Sequence, residues 1–306
     1  MENANGIVNN HVFLRGRPPI SEYLGFIVGM AVNGQAYDQG QLASSWRDAN
    51  KYIVNLEAVE KGIADNPTVY NVPDTAKPIV AEAISNPLFH IAFQMAPAEI
   101  SMVDLDQLVV YQKFINLGFV DALISTLGST PSEQDTFRLA LGIDRLDPPV
   151  RSLPLGQNGV SFVSNSGDFR FLGAVNLPPN VMPPQLLNGK PVAIYGLVVG
   201  YGPNYLSALK IENRLVLLNG SHRAYALKKL GIDRVPCIVQ HVSTREELEI
   251  ISPDIHQNPD RYLKAQRPPM LKDYFNPDLI TVVPVQAKNK MVRLQFGLEQ
   301  SDIPAT

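Results

Sequence analysis

Cysteine is nearly absent: there is one, Cys237, among 306 residues. A single thiol closes no intrachain disulfide and builds no cysteine zinc cluster. Its scarcity fits a reducing, cytoplasmic compartment. Long apolar runs are missing too. The longest near the start, Leu24 to Val32 (LGFIVGMAV), is too short to cross a bilayer. Arg15 and Arg17 precede it, but Pro18, Pro19 and Glu22 intervene, so these are not the flanks of a signal peptide. A buried helix is expected there, and no membrane partner. Charge of one sign is scarce as well. Lys and Arg number 26 against 29 Asp and Glu, for a net charge of −3, and no basic run exceeds Lys228-Lys229. With an isoelectric point near 6.0, the balance argues against a surface coated for nucleic acid. Finally, no Walker glycine loop and no Gly-x-Gly-x-x-Gly follows any strand, and GYGP at 200–203 fits neither pattern.

What is present supports a core. Hydrophobic residues make up 45% and charged residues 18%, and the length suits one large domain or two ordinary ones. Residues 1–14 look like a loose terminus. A helix is expected from Pro18 or Pro19, since proline is accepted in a first turn. A longer one is expected from Leu42 to Ala64, where Trp46, Ala49, Ile53, Leu56, Val59 and Ile63 recur at steps of three and four. Three prolines in 66–78 break it, and a short helix follows near Ile79 to Ile84. HIAFQMAP, residues 90–97, alternates Ile91, Phe93 and Met95 and predicts a strand. Residues 99–113 (EISMVDLDQLVVYQK) are ambiguous. GFVDALISTLG (118–128) predicts a helix closed by its glycine. Thr130, Pro131 and Glu133 form a capping-box pattern that predicts another.

Residues 145–191 hold eight prolines and several Gly-Asn-Ser clusters, so sparse regular structure is expected, as a wrap or a lid. Residues 206–218 predict a hairpin turned at Glu212-Asn213. Ser243 and Glu246 predict a helix over Thr244 to Ile251. Residues 280–296 predict a closing hairpin turned at Lys288-Asn289. RPPISEYL (17–24) and RPPMLKDYF (267–275) echo each other but are too short for a repeat. The organisation expected is a helical region over 1–88, a core over 89–242 interrupted at about 145–191, and an extension over 243–306 that packs on the core.

The most organised stretch is RLVLLNGSHRAYALKKLGIDRVPCIVQHV, residues 214–242. Leu215 to Leu218 predict a strand. Ser221 to Leu230 predict a helix ended by Gly231 at its C′ position. The first turn of a helix leaves backbone N–H groups unpaired and carries partial positive charge. Gly220 lets a ligand approach the backbone, Ser221 can cap or donate, and His222 and Arg223 add donors. Asn219, Gly220, Ser221, His222 and Arg223 are therefore candidates for a phosphate site, with His222 and Arg223 the candidates for chemistry. An ordinary helix start, capped by Asn219 or Ser221 with solvated charges beside it, explains the same residues. Asp104 and Asp106 alternate along one segment and would suit a Mg²⁺ shared with nucleotide phosphates, or a solvated edge. Lys113 could reach a phosphate. Cys237 and His241 share a strand face without convergent partners, so Cys237 is expected to act as a small hydrophobe.

A hairpin, then NGSHRAYALKKLG, then VPCIV resembles the ParB/sulfiredoxin superfamily, over residues 206–242. EISMVDLDQLVVYQK resembles the family's earlier segment near a Tyr-Gln pair. The resemblance implies an α/β (α+β) core with a helical N-terminal region, a Pro-rich insertion and a C-terminal hairpin extension. In the family a Gly-x-x-Arg turn holds nucleotide phosphates, and Gly220 and Arg223 match it. Sulfiredoxins place a nucleophilic cysteine where Ser221 stands, so thiol chemistry is not implied. ParB proteins place an acid in the turn that is missing here, and a helix-turn-helix afterwards, where residues 252–306 predict short helices and a hairpin. Free serine kinases of this fold carry an aspartate where Asn219 stands.

The function expected is nucleotide binding, of ATP or another NTP with Mg²⁺, serving phosphoryl transfer or NTP hydrolysis on a small-molecule or protein substrate. A ParB-like DNA-associated protein or nuclease with a nucleotide switch is the second possibility, and a non-catalytic scaffold the third. The charge balance predicts that DNA affinity at physiological salt is no tighter than the ~10⁻⁴–10⁻⁶ M of unspecific contacts. Fluorescence anisotropy on a labelled duplex pool, with and without CTP, checks this. Nanomolar binding would reverse the ranking.

Overall fold

This computed structural model describes residues 7–145, 147–181, 189 and 191–304. The chain starts with β1 (Val8–Leu14), α1 (Ile20–Met30), α2 (Gln39–Val59) and β2 (Val69–Tyr70). It continues through α3 (Lys77–Ser85), α4 (Pro87–Ala92), β3 (Ala98–Asp104), β4 (Val109–Val110), β5 (Phe114–Asn116), α5 (Leu117–Leu127) and α6 (Glu133–Ala140). Next come β6 (Arg151–Pro154), β7 (Gly159–Ser164), β8 (Phe169–Leu177) and β9 (Ile194–Tyr201). Then follow β10 (Ser207–Ile211), β11 (Arg214–Asn219), α7 (Ser221–Lys229) and β12 (Arg234–Val242). Three short helices, α8 (Glu247–Ile251), α9 (Pro253–His256) and α10 (Pro259–Leu263), precede β13 (Ile280–Gln286) and β14 (Lys290–Gln295). The architecture is mixed, α+β. Among the described residues no helix is long and apolar enough to cross a membrane.

Two units separate: residues 1–145 with 204–287, and residues 146–203 with 288–306. The larger unit holds a six-stranded sheet in the order β2-β3-β12-β10-β11-β4 and a three-stranded sheet in the order β13-β1-β5. β10 and β11 form the expected hairpin, and β10 runs parallel to β12. Its turn places Glu212, rather than Asn213, at positive φ. Strand alternation divides the core. Leu215 and Leu217 point to a cluster with Ile115, Val120, Ala224, Leu227, Val235 and Cys237. Val216 points the other way, to Leu209, Leu248, Ile255 and Tyr262. The middle strands are thus buried on both faces, which accounts for their near-continuous apolar runs. The smaller unit holds the sheet β14-β7-β6 and the two-stranded ribbon β8-β9.

Helices form where caps and spacing agree. Asp38 accepts from the amides of Gly40 and Gln41 and starts α2. Its apolar face, with Leu42, Ala49 and Ile53 buried, covers the three-stranded sheet beside Tyr23 and Ile27 of α1. Gly128 closes α5 at positive φ, as expected.

Several expectations are corrected. Residues 8–14 are strand β1 paired on both sides, not a loose terminus; residues 1–6 lie outside the described residues. α2 ends at Val59 rather than at Ala64. HIAFQMAP does not start as a strand. Asn86 accepts from the amide of Leu88 and Pro87 occupies the first turn, so a local helix start overrides the alternation. The capping box of α6 is Ser132 with Asp135, two residues later than expected. α8 spans only Glu247–Ile251 and has no side-chain cap. Residues 145–191 carry three strands, because the prolines flank them: Pro148 and Pro149 precede β6, Pro154 ends it, and Pro178 follows β8. Residues 146, 182–188 and 190 of that stretch lie outside the described residues. β13 and β14 are not a hairpin, since β13 pairs with β1 and β14 with β7.

The C-terminal segment of the larger unit is tied down by a buried ion pair. Arg267 donates twice to Asp273, at 3.0 and 2.5 Å, and once to Glu60 at 2.7 Å. Arg267 is 1% and Asp273 4% exposed. Removing the aspartate leaves a buried guanidinium short of its main partner, so Asp273→Ala is expected to destabilise the chain by about 3–5 kcal/mol. Urea denaturation measures it.

Candidate functional site

β11 leaves the sheet at Asn219, and α7 begins two residues later. Gly220 lies between them at φ 89° and serves as the N-cap residue. A Cβ at Gly220 would meet Leu206 Cα at 3.0 Å and Arg223 Nη2 at 3.2 Å. The positive φ favours glycine, and a Cβ would fit only tightly. Asn219 does not cap the helix: its Oδ1 accepts from the amide of Gly220 at 2.7 Å. Nor does Ser221, the first helical residue, which makes no side-chain cap bond. The first amide of α7 with a backbone acceptor is Ala224, bonded to Gly220 O at 2.8 Å. Among the described residues the amides of Ser221 and His222 have no acceptor and the Ser221 hydroxyl has no hydrogen bond. Three neutral donors thus share one glycine-opened turn.

Arg223 is turned inward and is 4% exposed. Its Nη1 donates to Asn204 O at 2.7 Å, Leu139 O at 3.2 Å and Ala140 O at 3.3 Å, and its Nη2 to Asn204 Oδ1 at 2.5 Å. The guanidinium therefore joins the end of α6 and the entry to β10 to the first turn of α7. Gly142 makes room for this junction, since a Cβ there would lie 2.4 Å from Asn204 O. The cation sits beneath the turn, not in solvent above it.

His222 is anchored as well. Its Nε2 accepts from the amide of Asn116 at 3.0 Å, and its ring meets Phe119 edge-on at 5.4 Å. Burial first, then the nearby His11 and Arg223, push its pKa down to about 4. A neutral imidazole accepting at Nε2 carries its proton on Nδ1, so a fourth neutral donor remains. His11, paired across β1 and β5 with Asn116, is 7% exposed, and its Nδ1 has no partner. It stacks on Phe114 at 5.0 Å.

The remaining candidates lie elsewhere. Asp104 holds Arg234 Nε at 2.9 Å and accepts from Tyr70 OH at 3.1 Å. Asp106 pairs with Lys228 Nζ at 2.7 Å. Lys228 is seven residues along α7 from Ser221, so Asp106 lies beside the far end of the helix, ~10 Å down its axis. Both carboxylates are paired with cations in this structure. Among the described residues no three His, Cys, Asp or Glu side chains cluster as metal ligands. Lys113 pairs with Glu22 at 3.0 Å. It borders a cavity of about 20 Å³, also lined by Arg17, Tyr111, Arg261 and Tyr262. Tyr111 OH donates to Leu218 O at 2.9 Å, which fixes this loop beside the end of β11. Cys237 is fully buried and its pKa is raised by that burial. His241 instead pairs with Glu99 at 3.1 Å.

His11, Asn116 and Asn204 were not expected at the site. They lie 211, 106 and 18 residues from His222 in sequence, and no local motif marks any of them. No family model, curated protein or solved structure matches the chain.

The depressed pKa of His222 has a thermodynamic consequence. Above the ordinary histidine pKa, 6.5, the ring is neutral folded and unfolded, and stability is complete. As pH falls below that value the unfolded chain takes up the proton first. Stability then declines until about pH 4, where the folded ring also titrates. The loss reaches at most about 3 kcal/mol. His222→Gln can still accept the Asn116 amide and does not titrate. Urea denaturation at pH 7.5 and pH 4.5 is expected to show a smaller acid loss in this variant than in the native chain. Equal losses would place the titrating group elsewhere.

Proposed function

We propose that the β11–α7 turn binds the phosphates of a nucleotide, as in the ParB/sulfiredoxin-like proteins that residues 206–242 resemble. One observation carries this: the amides of Ser221 and His222 and the Ser221 hydroxyl lack acceptors at a turn opened by a glycine at positive φ. Helix N-termini with free amides favour anions. Arg223 adds positive potential from below while its own hydrogen bonds hold the turn in shape. The nucleotide is ATP or another NTP, and the chain acts as a nucleotide-binding protein of cytoplasmic type.

Turnover, as phosphoryl transfer or hydrolysis, is the further step of this reading. It would rest on positioning and on neutral donors stabilising phosphate charge. His222 is no general base in this arrangement, because its Nε2 already accepts a hydrogen bond and its pKa is about 4. A DNA-associated role ranks lower on the acidic net charge.

The test is a thermal-shift panel of ATP, CTP, GTP and their diphosphates, with and without Mg²⁺. A ligand at a hundredfold excess over its Kd is expected to add about 2.7 kcal/mol of stability. Ser221→Ala removes the hydroxyl donor and leaves the glycine turn as it is; it is expected to diminish the gain while keeping the unliganded transition. A panel with no shift for any nucleotide, or an undiminished shift in the variant, refutes the assignment.

A further inference from the structure

Among its described residues the smaller unit shows little hydrophobic interior. Among the described residues its one buried hydrophobic side chain is Phe169. Among the described residues it carries 15 of the 27 large hydrophobic residues that are exposed, in about a quarter of the chain. Single exposed apolar residues are ordinary, but a contiguous set marks an interaction surface. Here they concentrate on the β8-β9 ribbon.

The ribbon's sequences are FRFLGAVNL and IYGLVVGY. They read as near-continuous apolar runs, the pattern of strands covered on both faces. Paired residues share a face and neighbours alternate. Val175 with Gly196 and Gly173 with Val198 lie on one face; Ala174 with Leu197 and Asn176 with Tyr195 lie on the other. Both faces are open: Val175 is 40%, Leu197 45% and Tyr195 73% exposed. The ribbon is also a sheet of two strands only, an arrangement that is marginal alone in water. Seven large side chains, each about half open, offer on the order of 500–600 Å² of apolar surface. Each partner in a standard interface gives roughly 800 Å², so the ribbon suits a contact at the small end of the range.

We infer that the β8-β9 ribbon is a self-association arm, whose occupant is the same ribbon of a second copy of this chain. The ribbon's 17 residues include one charge, Arg170, so it has no charge pattern with which to select an acidic or basic partner or an anionic headgroup. Two apolar faces and two strand edges meet the self-complementarity that a two-fold contact needs. Joining ribbon to ribbon extends the ladder and covers side chains that the single chain leaves in water.

Sedimentation velocity on the full chain from about 1 to about 100 µM is expected to show a monomer–dimer equilibrium. The double variant Leu197→Lys/Val198→Lys places a charge on each face at positions already partly exposed. It is expected to keep the far-UV circular dichroism of the native chain and to weaken dimerisation at least about a hundredfold. Tyr195→Cys supplies an independent reading, because Cys237 is buried: mild oxidation is expected to yield a covalent dimer. A native chain that stays monomeric throughout, whether or not its ribbon binds neutral lipid vesicles, overturns the inference. So does a lysine variant that dimerises like the native chain. If that variant aggregates, the cross-link decides, and absence of a covalent dimer counts against the arm.

Discussion

The buried guanidinium of Arg223 is the contact on which the candidate site depends. A charge that is 4% exposed is tolerable only if its donors are met. Here carbonyls of Leu139, Ala140 and Asn204, with the Asn204 side chain, meet them. Ala140 O also accepts from the amide of Leu206 at 2.7 Å, so α6 and the entry to β10 are joined twice. The same junction dictates its glycines. Gly142 admits the Asn204 carbonyl, and Gly220 passes over the guanidinium where a side chain would be tightly packed against it. The arginine organises the turn from the inside; the amides without acceptors are those of its neighbours, Ser221 and His222.

This division of labour limits the chemistry. The turn presents amides, a hydroxyl and a neutral imidazole, with formal charge held below them. Such donors suit the phosphates of a nucleotide and accept no proton. The acids that could have supplied a base or a metal site, Asp104 and Asp106, are bound to Arg234 and Lys228 instead.

Local signals in the sequence located the strand, turn and helix of residues 214–231, because a hydrophobic run, a positive-φ glycine and a terminal glycine are all encoded within a few residues. The hairpin at Glu212-Asn213 and helix α5 were legible for the same reason. The inward turn of Arg223 was not. Three of its four acceptors are main-chain oxygens, up to 84 residues away, which no side-chain pattern reports. His11 was hidden likewise, since only the pairing of β1 with β5 brings it near His222. Proline density misled over residues 145–191, where prolines bracket strands rather than interrupt them. Adjacent apolar runs at 280–296 suggested a hairpin, yet pair with strands more than a hundred residues away.

The most direct measurement of the anion site is residue-resolved. In ¹⁵N-labelled chain, phosphate or ATP titrated at constant ionic strength is expected to shift the amide resonances of Ser221 and His222 in a saturable way, since those are the donors without acceptors. The amide of Ala224, bonded to Gly220 O, is expected to move far less. Saturable shifts that fall elsewhere and leave Ser221 and His222 unmoved would contradict the account.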